Sequence, residues 1–536
     1  MKYRKAGTRT GCQAMVRYAI DLDGNWTIKK FVESHNHPLA ESDDKHLLRS
    51  SQKISELNAN LLRLMTSSGI RAADAFNFLA TEVDGVENLE CTKQDAYNFI
   101  QRDKRSRIEQ DDVNSLLQLF MERQNENSIF AWDFQSDDEG RLTSFFLSDG
   151  SCSLDYDFFG DVIIFDTSYR LNKYNLCCAT FVGINHHQQN VLFRVGFLFD
   201  ETIESFKWLF KTFIHIMDDK HPITMFTDQD QTMARVIADC LPFTRHRLCQ
   251  RHIYKKFSSK VHCGVTYKSV NNLFYKCMSK CDSEDEFEVT WALMIEQGKL
   301  HNNMWLDALY RIRHNWSTAF NKEFFGMGIL STQRSESTNS VCHGASKPTS
   351  SLTDCFLGLE NIMKAWRRNE KDEVFKSFQN VITPTVKTNP VLRQAATYCT
   401  RKLYSMFEEL LHGLCGLTVN SSVESPSEFY VRGLDNQDTS RVWLVIFDRL
   451  NCDITCSCKK FKMTGLLCSH CLHVLNANNI AKIPEKYLLF RWSAKAKKYI
   501  YNSFGYKHMK NSRAQMSGTT SRGIIFRHML KSLSIN

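Results

Sequence analysis

Proline is scarce in this chain, eight residues among 536, and glycine is modest at 23. That shortage argues against long disordered linkers. No apolar run approaches the roughly 20 residues needed to span a bilayer, so no membrane partner is expected. Charge of one sign is not concentrated either. Lys and Arg number 68 against 59 Asp and Glu, a net charge of +9. This permits a polyanionic partner without demanding one. Nor does any repeat of about 20–50 residues stand out. What is abundant is cysteine, 19 residues, with no signal-peptide pattern at the N-terminus. The expectation is a reducing compartment, where cysteines serve as core residues or metal ligands, and a soluble intracellular chain. Hydrophobic content of 43% and charged content of 24% are ordinary for globular proteins. The length suggests about three or four domains.

Residues 14–20 and 26–32 read as two strands around a turn at Asp23-Gly24, a β-hairpin. Candidate ligands Cys12, His35 and His37 stand at its ends. Residues 41–150 read as mostly helical and polar, with a basic run, Arg102-Asp-Lys-Arg-Ser-Arg107, that is either a solvated face or a nucleic-acid contact. The texture then changes. Apolar strand runs occupy 161–166, 176–184, 190–199 and 222–227, with a further strand at 244–249. Ile203, Phe206, Phe210, Phe213 and Met217 recur at helical spacing after Asp200, a candidate N-cap. Residues 231–241 form a second helix. This order predicts a mixed sheet with helices on its faces, followed by a helical, aromatic stretch at 255–330. A polar patch, Asn420-Ser-Ser-Val-Glu-Ser-Pro-Ser427, separates the central body from the C-terminal region.

Cys456-Ser-Cys458, nine residues, then Cys468-Ser-His470 offers four thiolate and imidazole donors as two tight pairs. Tetrahedral zinc takes such a set. Residues 441–449 alternate as a strand feeding the first pair, and Leu472, Val474 and Leu475 suggest a short helix after the second. Cys452, Cys471 and His473 lie nearby and blur the choice of ligands. The pattern resembles a SWIM zinc finger, a module linked to DNA and protein binding.

Asp166 ends the first apolar strand and Asp228 the fourth. A carboxylate at the end of an apolar strand is costly to bury unless paired or bound to a metal. Two on one sheet edge suit shared divalent cations, as in two-metal phosphoryl transfer, and Glu336 is the candidate third acid. Spacing alone fits solvated or capping acids as well. Residues 159–257 resemble a Mutator-like transposase domain through Asp166-Thr-Ser-Tyr-Arg-Leu-Asn-Lys-Tyr174, Asp200-Glu-Thr-Ile-Glu-Ser-Phe206, Thr227-Asp-Gln-Asp230 and Arg247-Leu-Cys-Gln-Arg-His252. Gln333-Arg-Ser-Glu336 matches the third acid. The resemblance implies an RNase H-like fold with a helical insertion, with Asp166, Asp228 and Glu336 on the catalytic positions. Cys249 and His252, the Cys-x-x-His signature, are a candidate zinc pair or a structural or DNA-contact element.

Cys12 with His35-x-His37 resembles the second half of a WRKY/GCM-type zinc finger. The order of this finger, a Mutator-like domain and a SWIM finger resembles the plant far-red-impaired-response family. The chain departs from it in having no cysteine before Cys12, which leaves the N-terminal finger one ligand short.

The fold expected is therefore α/β: an RNase H-like mixed sheet with helical insertion, flanked by a truncated N-terminal β zinc-finger-like module and a small C-terminal SWIM finger. The expected divisions are a partial finger at 1–40, a helical linker region at 41–150, the transposase-like domain at 151–380, a helical connector at 381–435, the SWIM finger at 436–480 and a basic tail at 481–536. Lys495, Lys497 and Lys498 in that tail are candidate DNA contacts, with the run at 102–107. Three functions compete. One is a transposase-derived nuclear regulator of transcription that binds DNA and zinc and pairs with itself or with relatives. Another is an active transposase using Mg²⁺ at the three acids. The third is an interaction scaffold.

Overall fold

The computed structural model describes residues 11–20, 26–36, 54–67, 70–89, 91–106, 110–127 and 129–497, the last with breaks at 138, 140, 170, 263, 380–381, 423–424 and 434–440. The chain divides into two compact units, residues 1–107 and 108–536.

In the first unit, strands β1 (Met15–Ile20) and β2 (Trp26–Val32) form the expected antiparallel hairpin, with a register shift between Arg17 and Tyr18. Helices Glu56–Ser67, Ala72–Glu82 and Lys93–Ser106 come next. They share a core of Leu62, Phe76, Leu79 and Ile100. His37 and the side chains of the basic run at 102–107, apart from Asp103, lie outside the described residues.

The second unit is built on a seven-stranded sheet. Its strands are β3 (Ala131–Ser136), β4 (Leu142–Ser148), β5 (Val162–Ser168), β6 (Cys177–Ile184), β7 (Asn190–Leu198), β8 (Thr224–Thr227) and β9 (Arg245–Leu248). The order is β3-β4-β7-β6-β5-β8-β9. Pairing is antiparallel from β3 to β5 and parallel across β5, β8 and β9. Helices cover both faces. Ile203–Ile216 buries Phe206, Phe210 and Phe213 on one, with Phe213 stacked 4.2 Å from Phe181. Gln110–Glu126 and Leu352–Gln379 close the other through Phe120, Phe356 and Leu359. Continuous apolar strands such as β6, buried at every position, result from this two-sided cover. The helical stretch after β9 forms its own core around Phe257, Phe274, Trp291 and Trp316.

Some readings of the sequence need correction. β3 and β4 lie in the stretch read as helical. β3 pairs with β4, and β4 lies against β7, with Phe145 opposite Phe197. The helix beginning at Ile203 is capped by Thr202, whose hydroxyl accepts from Ser205 N–H. Asp200 instead accepts hydrogen bonds from the Thr202 and Ser205 hydroxyls.

A second, four-stranded meander completes this unit: β10 (Leu417–Ser421), β11 (Glu428–Gly433), β12 (Val442–Asp448) and β13 (Asp453–Cys456). The connector read as helical holds helices Pro390–Tyr398 and Arg401–His412 and then β10 and β11. The polar patch at 420–427 is thus not a boundary: Asn420 and Ser421 end β10, and Ser422 N–H bonds the carbonyl of Glu428, which opens β11. Among the described residues no helix is long and apolar enough to cross a membrane, and the described cysteines are free thiols.

Candidate functional site

Asp166 lies near the end of β5, and Asp228 comes immediately after β8. These strands run parallel with Ile164 opposite Phe226; two more residues in that register bring the carboxylates level at one sheet edge. Glu336 joins them from the first turn of the helix Gln333–Ala345. His252, on the helix Gln250–Lys260, stands between the acids. Its Nδ1 is 2.6 Å from Asp228 Oδ1, and its Nε2 is 3.3 Å from Glu336 Oε1. Arg251 Nη1 lies 3.3 Å from Glu336 Oε2. Asn339, one turn after Glu336, donates to Asp166 Oδ2 at 2.8 Å. Burial, and then the charge of Asp228, push the Asp166 carboxyl up to about 7.

Cys249 is buried at the N-cap of the same helix. Its Sγ accepts from Thr332 N–H at 3.3 Å, and the Thr332 hydroxyl donates to Asp228 Oδ1 at 3.2 Å. Asp228, Cys249 and His252 offer donor atoms within 4.8 Å of one another. Sequence reasoning paired Cys249 with His252 but missed that Asp228 completes a trio. It also missed Asn339, although i, i+3 spacing from Glu336 puts the two on one helix face.

The C-terminal cluster is built locally. Cys456 ends β13, Cys458 lies in the next turn, and Cys468 caps the helix Ser469–Ala477, which carries His470. All four donors lie within 4.8 Å of one another. Cys456 Sγ is 3.5 Å from His470 Nδ1, close to the roughly 3.6 Å separating S and N ligands on tetrahedral zinc. The backbone N–H groups of Cys458 and Cys471 point to Cys456 and Cys468 sulfurs, and Trp443 stacks on His470 at 4.1 Å. Proximity to Cys458 pushes the Cys456 thiol well above its usual range. The donor set therefore suits zinc. Cys471 also faces Cys456 and Cys468. Cys452 instead points at the Arg449 carbonyl.

In the N-terminal hairpin, Cys12 Sγ approaches His35 Nδ1 at 3.5 Å. In the tail, the structure corrects one expectation. Lys497 is not a free DNA contact: it is buried, ion-paired with Asp155 and 2.9 Å from Glu370. Burial alone would lower it, and the two carboxylates more than reverse that shift. Lys495 is exposed, and Lys498 lies outside the described residues.

Comparison with known families identifies a FAR1 DNA-binding domain at residues 1–41, a MULE transposase domain at 162–256 and a SWIM zinc finger at 437–479. Among Arabidopsis thaliana proteins, FAR1-related sequence 5 is 30% identical over 94% of this chain and 64% of its own length. Protein far-red impaired response 1 is 28% identical over 92% of this chain and 60% of its own length. FAR1-related sequence 9 is 30% identical over 72% of this chain and 70% of its own. The chain spans about three fifths to two thirds of the first two. With the three domains in family order on one chain, it belongs to the plant far-red-impaired-response family of FAR1-related proteins.

Proposed function

We propose that this chain is a transposase-derived nuclear DNA-binding protein that regulates transcription. The observation carrying this reading is the FAR1 DNA-binding domain matched at residues 1–41. Likeness to a relative named for an impaired far-red response supports a role in light signalling. The domain limits in this reading place the partial finger at 1–40, the central domain at 151–380 and the SWIM finger at 436–480. The central sheet is read as RNase H-like, supported by the run β7-β6-β5-β8-β9, in which three antiparallel strands lead into three parallel ones through β5. Zinc is assigned to Cys456, Cys458, Cys468 and His470, where it would tie β13 to the helix after it. Cys12, His35 and His37 are assigned as the zinc ligands of the N-terminal finger. Pairing with itself or with relatives is part of the same reading.

The second reading is an active Mg²⁺-dependent transposase. It is supported by Asp166, Asp228 and Glu336 meeting on one edge. Magnesium asks for oxygen ligands and retained waters. In this chain two of the three acids carry close protein partners: His252 on Asp228 and Asn339 on Asp166. That favours the regulator. The test is the double variant Asp166→Asn, Asp228→Asn, assayed for reporter activation and for DNA cleavage. Activation is expected to persist in the variant, and cleavage to be undetectable in the parent. Robust Mg²⁺-dependent cleavage by the parent, lost in the variant, would reverse the ranking.

A further inference from the structure

We infer that Asp228, Cys249 and His252 form a second transition-metal site, of the zinc class, beside the acidic edge. Their donor atoms lie within 4.8 Å of one another, against about 3.3–3.8 Å between ligand atoms on tetrahedral zinc. A small inward movement of side chains therefore closes the trio on one ion. The backbone already brings the three together. Cys249 caps the helix that carries His252 one turn on, and Cys249 N–H bonds the Thr227 carbonyl at 2.9 Å, which holds it next to Asp228.

The surroundings are those of a ligand set. Thr332 donates its N–H to Cys249 Sγ and its hydroxyl to Asp228 Oδ1, so one residue orients two donors. Glu336 Oε1 is buried 3.3 Å from His252 Nε2 and has no hydrogen-bond partner among the described residues. A small rotation that lets Glu336 accept from Nε2–H would leave Nδ1 as the ligand nitrogen, the carboxylate–histidine–metal arrangement. Without metal, His252 Nδ1 lies 2.6 Å from Asp228 Oδ1. A bound ion would sit between these donors, and the protons it displaces, the thiol's included, would leave to solvent.

Thiolate and imidazole select zinc over magnesium. Three protein ligands leave a fourth position for water or a phosphate oxygen. This differs from the magnesium cage of the transposase reading: it takes only Asp228 of the three acids and makes Glu336 an orienting group. It does not depend on the DNA-binding reading, which lives in residues 1–41.

The experiment measures metal content of the full chain loaded with Zn²⁺ alone, with Co²⁺ as the optical probe. Cys249→Ser and His252→Gln should each bind one equivalent less zinc than the parent while keeping its circular dichroism. The cobalt form of Cys249→Ser should lose part of the thiolate charge-transfer absorption. Full parental zinc content in both variants would overturn the site. The parent alone also decides it, whether or not the variants fold: a zinc-edge anomalous map should show a peak between Asp228 and His252. A peak at Cys456–His470 with none beside His252 would overturn it. DNA affinity, measured in parallel, is expected to be unchanged in both variants and so keeps this result separate from the regulator reading.

Discussion

The C-terminal cluster takes all four donors from residues 456–470, while the acidic edge draws on two strands and two helices between residues 166 and 336. The two also differ in how they manage charge. In the cluster, Cys456, Cys458, Cys468 and Cys471 face one another, and each of Cys456, Cys458 and Cys471 is pushed above the usual thiol range. Two backbone N–H groups and His470 contact these sulfurs, and a zinc ion would offset the remaining thiolate charge. At the acidic edge, His252, Arg251, Thr332 and Asn339 supply hydrogen bonds and positive charge from the protein itself. On this contrast the C-terminal cluster is expected to need its zinc to fold, whereas the acidic edge is already organised by protein groups.

The largest expected effect comes from that contrast. Structural zinc contributes about 10–16 kcal/mol of binding free energy in small fingers at neutral pH, as much as or more than a typical domain's whole stability. Cys458→Ser, or chelation, should release the zinc and unprotect the amides of β12, β13 and the helix Ser469–Ala477. The seven-stranded sheet, with its separate cores, should keep its protection. Hydrogen exchange of the stripped protein reads both. If β12 and β13 stay protected without metal, the distinction between the two regions fails.

The same contrast explains what was legible beforehand. A Cys-x-Cys and a Cys-x-His pair carry their geometry in their spacing, so the cluster was readable from one short segment. Asp166 and Asp228 were readable as ends of apolar strands, and their adjacency came with a parallel pairing that alternating helices and strands suggest. Asn339 and Thr332 were not, because their roles exist only once the helix Gln333–Ala345 docks on the sheet. β3 and β4 were hidden for a related reason: short half-polar strands look like loop or helix until a neighbour such as β7 supplies the pairing. Lys497 shows the same limit in reverse. A lysine in a basic stretch reads as solvent-facing, and only the fold brings Asp155 and Glu370 to it.

That lysine offers the next test, at the junction of the two regions. The segment after the cluster returns to the seven-stranded sheet through two buried cations. Arg491 pairs with Asp161 and donates to the Ile184 carbonyl, while Lys497 pairs with Asp155 and Glu370. Removing one partner of a buried pair costs about 3–5 kcal/mol, because the remaining charge is stranded. Lys497→Met should lower the stability of the sheet by that amount in urea unfolding, with zinc content unchanged. A loss below about 1 kcal/mol would mean the pair behaves as a surface contact.

A smaller effect is expected inside the acidic edge. Asn339→Ala removes the donor to Asp166 and leaves a largely buried carboxylate oxygen unpaired, a cost of about 1–3 kcal/mol. Because the edge carries its own partners, this variant should still fold and keep the C-terminal zinc. Thermal unfolding together with metal content checks both. Concomitant loss of zinc from Cys456–His470 would show the two regions to be a single cooperative site.

The smallest change at neutral pH, and the one that turns on acidity, belongs to His186. It lies after β6, where its carbonyl accepts from the Thr400 hydroxyl. Its ring stacks on Phe159 at 5.5 Å, and both ring nitrogens lack a hydrogen-bond partner among the described residues. Burial, followed by His187, Lys497 and Arg491, drives its pKa well below the ordinary value. Burial likewise takes the adjacent His187 down to about 4, with Glu373 opposing and Lys497 assisting. The unfolded chain therefore binds protons near pH 6.5 that the folded chain refuses until much lower pH. Stability is fully present above about 6.5 and is lost as pH falls toward about 4, by up to about 1.4 kcal/mol per pH unit for each such histidine. His186→Phe keeps the aromatic stack and buries no unpaired nitrogen. At pH 7.5 it should change stability by less than about 1.5 kcal/mol. At pH 5 it should be more stable than the parent, and the parent's acid sensitivity should be reduced by one histidine's share. Paired denaturant curves at the two pH values give the answer, since acid release of zinc is common to both proteins and cancels. Parallel loss of stability by parent and variant between pH 7.5 and 5 would place the acid-sensitive group elsewhere.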